Sequence, residues 1–168
     1  MKYLKYFLAF TIFIFLQLFI IFNIDDPSIF KIISICLIGL FCLHLIMRQS
    51  IEFRAYFESK WNFLCSKYKV KKNVDIPRDL LFDKLLELMP ELKLTKKYAN
   101  KDEMVIFATS KLSLQSWGEN IYIDLREGEN GLTEIDFSSI TFFQIFSMGK
   151  NESNFHKLIG AIDKSLII

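Results

Sequence analysis

The sequence predicts an α+β membrane protein: a two-helix transmembrane hairpin, then a small domain of order helix, four antiparallel strands, helix. Three observations carry this. Two uncharged apolar runs, Tyr6–Phe22 and Ile32–Met47, lie near the start of the chain. Later, two stretches alternate apolar and polar residues on either side of a glycine turn. Apolar residues at helical spacing bracket those strands before and after.

Taken in order, the apolar runs come first. A bilayer core of roughly 30 Å needs about 20 mostly apolar residues as helix. With their flanks, the runs give helices at about 4–24 and 29–48, so residues 1–48 form the hairpin. Lys2 and Lys5 precede the first run, as in a signal peptide. That run is longer than an ordinary signal core, and no small-residue cleavage pattern follows it, so a retained anchor is expected. Asp25, Asp26 and Pro27 interrupt the helix, and Ser28 can cap the next. Lys2 and Lys5 at one end, and Arg48, Arg54 and Lys60 beyond the other, outweigh the lone Lys31 between the runs. By the positive-inside rule both termini face the cytoplasm, with the chain integral to the inner or plasma membrane. Gln17 and His44 are read as a bond across the hairpin and an interfacial side chain rather than as an ion path. Cys36, Cys42 and Cys65 have no metal-knuckle spacing and suit a reducing compartment.

Residues 49–72 are expected as a juxtamembrane helix, either a stalk or a segment lying on the membrane surface. Ile51, Tyr56, Trp61, Leu64 and Tyr68 approximate a helical stripe. Lys67, Lys69, Lys71 and Lys72 form a basic cluster, the candidate contacts to anionic lipid headgroups.

The domain proper is expected over 73–168. Asp75-Ile76-Pro77 reads as a helix start, with Leu81, Phe82, Leu85, Leu86 and Met89 as its apolar face and Pro90 as its stop. Leu92–Tyr98 and Glu103–Thr109 read as strands. Ile121, Ile123 and Leu125 alternate with Tyr122, Asp124 and Arg126, and Thr133, Ile135, Phe137 and Ser139 alternate again after a turn at 127–131. One apolar and one polar face are expected, as in a sheet covered on one side. Asn151 or Ser153 caps a last helix with Phe155, Leu158, Ile159, Ile162 and Leu166 on its apolar face.

Two short motifs flank the strand pair, Ser116-Trp117-Gly118-Glu119-Asn120-Ile121 and Met148-Gly149-Lys150-Asn151-Glu152-Ser153-Asn154-Phe155. With them, residues from Ile76 to Leu166 resemble a bacterial domain family of no known activity. Its members begin a strand with SWGE and a helix with WGKN, often behind membrane helices. Met148 stands where that family has tryptophan. The resemblance implies an α+β fold and no particular chemistry.

Ser116, Trp117, Gly118, Glu119, Gly149, Lys150 and Asn151 are thus the candidate site, as a ligand cleft or as a structural clasp. As a clasp, the glycines supply backbone shapes that a Cβ disfavours, Trp117 suits a core edge, and Lys150 pairs with Glu119. As a cleft, the helix N-terminus receives an anion.

No nucleophile with a base, metal cluster or phosphate loop is visible. His156 and Cys65 are the reactive side chains of the soluble part, and no cofactor or metal is expected. A net charge of +2 gives no footing for nucleic acid. The function expected is a membrane-anchored, non-catalytic cytoplasmic domain that binds or recruits. Its partners would be the lipid bilayer, anionic headgroups, and a protein partner or a second copy. The alternatives are a small accessory subunit that interacts through its hairpin, and an enzyme or transporter fragment.

Overall fold

A computed structural model describes residues 27–111, 116–141 and 144–165. The chain divides into two units, Met1–Met47 and Arg48–Ile168. In the first, helix α1 runs over Pro27–Met47. Among the described residues no helix is long and apolar enough to cross a membrane. That finding corrects the transmembrane hairpin, and with it the membrane fold class and the integral-membrane location with both termini in the cytoplasm. The expected first helix, at about 4–24, lies outside the described residues, as does Gln17. The physical reason is that an apolar run reports avoidance of water and not the medium that replaces it. Periodicity alone does not separate a bilayer span from a helix buried in protein.

The second unit is built on one five-stranded sheet. After a short 3-10 turn at Ile51–Phe53 come α2 (Arg54–Glu58), β1 (Lys67–Val74), α3 (Arg78–Leu88), β2 (Leu94–Asn100), β3 (Val105–Ser110), β4 (Glu119–Glu127), β5 (Thr133–Thr141) and α4 (Lys150–Ser165). The strands lie in the order β1-β5-β4-β3-β2, each pair antiparallel. Five strands replace the four expected. The extra one is the lysine-rich segment read as a lipid-surface cluster, in which Tyr68 and Val70 pack on the core while lysines alternate with them.

The core fills one face of the sheet. Ile121, Ile123 and Leu125 of β4 meet Ile135 and Phe137 of β5, under Leu81 and Leu85 of α3 and Phe155, Leu158 and Ile162 of α4. Both helices are amphipathic by the spacing of these residues, and burying them drives the layer together. Asp75 makes no cap for α3: its N-cap position is Pro77, which has no side-chain bond.

The opposite face departs from expectation. Asn120, Tyr122 and Asp124 of β4 are buried too, as are Phe107 and Ile140 beside them. The Phe107 and Tyr122 rings stack with centroids 4.9 Å apart. They are covered by residues 48–66, which form a strap rather than the continuous helix expected over 49–72. Ser50 Oγ accepts from the Glu52 N–H and starts the 3-10 turn, α2 lasts five residues, and Phe57 is fully buried. The strap breaks its helix because its charged side chains are held by groups on the sheet.

Candidate functional site

The two motifs meet at one end of the sheet. Register places the last residues of β3 and β5 beside the first residues of β4 and β1, with Glu119 opposite Thr141 and Lys67 opposite Ile140. Glu119 is completely buried. Its carboxylate accepts from the Ser110 and Ser116 hydroxyls and, at 3.1 Å, from Asn154 Nδ2 at the start of α4. Each serine closes a ring by accepting in turn, Ser110 Oγ from the Glu119 N–H at 2.7 Å and Ser116 Oγ from the Gly118 N–H at 3.0 Å. These donors replace the expected partner Lys150 at Glu119.

Asn151 belongs to the same assembly in another role than the cap expected of it. It lies inside the first turn of α4, buried. Its Oδ1 accepts from Ser139 Oγ at 3.0 Å, and its Nδ2 donates to the Ser66 carbonyl at 3.0 Å. One side chain thereby joins α4 to β5 and to the residue preceding β1.

Gly118 and Gly149 both have positive φ, at 93° and 77°. A Cβ on Gly118 would collide with the Arg48 guanidinium and lie 3.0 Å from the Ser110 carbonyl. The glycine is therefore required twice, for its φ and for the close approach. Arg48 uses that space to donate from Nε to Asn120 Oδ1 at 3.1 Å and from a terminal nitrogen to the Ser110 and Glu119 carbonyls at 3.0 and 3.3 Å. Burial pulls the Arg48 pKa below its usual value, with Glu119 opposing that shift.

Further along the strap, Arg54 donates to both Asp124 oxygens at 2.6 and 2.8 Å and to Glu58 at 3.0 Å. Its guanidinium lies 5.1 Å from the centre of the Tyr122 ring. Burial acts to lower the Arg54 pKa, but Asp124 and Glu58 outweigh it and raise the value. Burial pushes the Tyr122 hydroxyl up to about 12. For Glu58 burial acts upward, and the Lys69 and Arg54 charges overcome it and hold the carboxyl below its usual range. Arg54, Glu58, Lys69 and Asp124 line a cleft of about 460 Å³ with Arg126 and Asp136. Its charges are committed to one another, which makes it a fastening of the strap.

The lysines expected at a lipid surface are drawn into the same network. Lys69 pairs with Glu58 and Lys71 with Glu134, each at 2.7 Å. Lys67 donates to the Ser59 and Asn62 carbonyls. Lys72 lies on the same strand, opposite Ile135.

What the clasp leaves exposed is apolar. Trp61 is 82% exposed, Phe63 72%, Met148 77% and Trp117 52%. Phe146 is exposed as well. These side chains stand on three loops tied at Gln144. The Ser66 N–H donates to the Gln144 carbonyl at 2.9 Å, and the Trp117 N–H donates to Gln144 Oε1 at 3.3 Å. The Trp61 and Phe63 rings stand edge to face, 6.4 Å apart. Sequence reading missed this surface because it assigned Trp61 to a helical stripe and Trp117 to a core edge.

Of the reactive side chains, Cys65 is buried in the loop before β1, while His156 stands on the exposed side of α4 with Glu152 at 3.9 Å. Among the described residues no three His, Cys, Asp or Glu side chains gather as metal ligands.

Fold and site together define the class: an antiparallel five-stranded sheet with helices on one face, a strap on the other and an aromatic loop end. No family model matches the chain, and no curated protein matches it. One solved structure similar to it is described as the crystal structure of Ara h 8.0201. It is 9% identical, with a TM-score of 0.49, over 61% of this chain and 98% of that one.

Proposed function

We propose that this protein acts by binding rather than by chemistry, as a recruitment module whose docking surface is the aromatic loop end of the sheet. The observation that supports the reading is the exposure of Trp61, Phe63, Trp117 and Met148 on loops held together at Gln144. Single exposed apolar residues are ordinary on protein surfaces, whereas several on adjoining loops are characteristic of a covered surface. Tryptophan, phenylalanine and methionine are also enriched where proteins meet. The hydrogen-bonded ring beneath, around Glu119 and Asn151, ties Ser116, Gly118 and Ser66 to the sheet and to α4, which lowers the ordering cost of docking. The Ser116–Asn151 motifs are thus the clasp that presents the surface and not the surface itself. The occupant is an apolar segment of a protein partner.

The test compares the wild-type chain with a Trp61→Ser/Phe63→Ser variant, by co-purification from the cells that make it and by thermal unfolding. The expected result is an unchanged unfolding midpoint together with loss of a partner recovered in stoichiometric amount with the wild type. Retention of that partner by the variant, or absence of any stoichiometric partner from both, contradicts the reading.

A further inference from the structure

A different surface carries an independent inference. Between the α3–β2 turn and the outer face of α4 runs a groove of about 550 Å³. That lies within the range of about 300–1,000 Å³ found for small-molecule sites. Its α4 wall is set by helical spacing: Ser153, Lys157, Gly160 and Lys164 recur on the face opposite Phe155, Leu158 and Ile162. Lys93, in a left-handed turn at φ 58°, supplies a third ammonium from the other side.

The lining combines two characters. Leu92, Gly160 and Ala161 give it an apolar floor, and nothing stands within 4 Å of where a Cβ on Gly160 would be. The rim carries three lysines against one carboxylate, Glu91, with His156 beside them. No carboxylate holds Lys93, Lys157 or Lys164 among the described residues. Lys69, Lys71 and Lys101, by contrast, each have an acidic partner at 2.7 Å. Three ammonium groups without a carboxylate partner among the described residues, set around an apolar floor, attract a molecule with an apolar body and a negative head.

We propose that this groove binds an organic anion, its apolar body on Leu92, Gly160 and Ala161 and its anionic head among Lys93, Lys157 and Lys164. The probe is 1-naphthyl phosphate, titrated calorimetrically into the 168-residue chain, with the neutral 1-naphthol as comparator. Two variants locate the site. Gly160→Leu fills the floor, and because leucine is the better helix former it leaves the unfolding midpoint unchanged or raised. Lys157→Glu/Lys164→Glu reverses the rim. The expected result is naphthyl phosphate bound at least tenfold tighter than naphthol, with affinity falling at least tenfold in both variants. Equal affinity for the two compounds, unchanged affinity in Gly160→Leu, or loss of binding in Trp61→Ser/Phe63→Ser would overturn it.

Discussion

Asn151 shows how much of this fold hangs on single buried polar side chains. Its amide accepts from a serine hydroxyl of the sheet and donates to a carbonyl of the strap at once. The Ser139 hydroxyl is fully buried, whereas the Ser66 carbonyl also accepts from Thr141. A buried group that loses its partner costs about 1–3 kcal/mol, well above the net gain of an ordinary hydrogen bond. Asn151→Ala is therefore expected to lower stability by about 1–2 kcal/mol, chiefly through the Ser139 hydroxyl. In urea unfolding this appears as a lower midpoint with an unchanged slope. A loss of only a few tenths would mean that the amide is merely a replaceable helix cap. Met148, just before it, has a φ of 45° that a side chain rarely adopts, followed by Gly149 at 77°. This tight entry into α4 turns Asn151 inward and leaves the Met148 side chain in solvent.

Among the elements, the strap is the least expected, and it sets a pH dependence. Glu58 sits between Lys69 at 2.7 Å and Arg54 at 3.0 Å, and its folded-state pKa is depressed. As pH falls, the unfolded chain takes up this proton before the folded one does. The contribution is thus complete above the ordinary glutamate range, roughly pH 4.5, and is lost as pH falls through the lower folded value. Unfolding free energy measured against pH should decline on that acid limb, and Glu58→Gln should flatten it. An identical limb in the variant would assign the loss to other carboxylates. The same element shows what sequence makes visible. The β4–β5 hairpin was legible because Ile121, Ile123 and Leu125 alternate strictly around a glycine turn. β1 carries the same period of two, in Tyr68 and Val70, but its lysines masked it. For Arg48 and Arg54 the decisive partners are not local: apart from Glu58 one turn on from Arg54, they lie on the sheet, 72 and 70 residues away. A helix-like stripe over 51–68 was overridden by those distant contacts. Nor does hydropathy tell what an apolar run packs against, which is why the expected hairpin was misjudged.

Across the Arg48–Ile168 unit, both faces of the sheet are closed and one end is left apolar. The core lies under α3 and α4, the strap seals the other face, and Glu119 and Asn151 fix the three loops whose aromatic residues point to solvent. Trp61, Phe63 and Met148 are each more than two-thirds exposed, so little of their apolar surface goes into this fold. Site-specific photo-crosslinking tests their role as a docking surface most directly. A benzophenone side chain is placed at Trp61, at Met148, and at Asp102 in the β2–β3 turn at the opposite end of the sheet, and the cells are irradiated. The account predicts one discrete protein adduct, the same from positions 61 and 148, and none from 102. No adduct at the loop end, or the same adduct at 102, would contradict it.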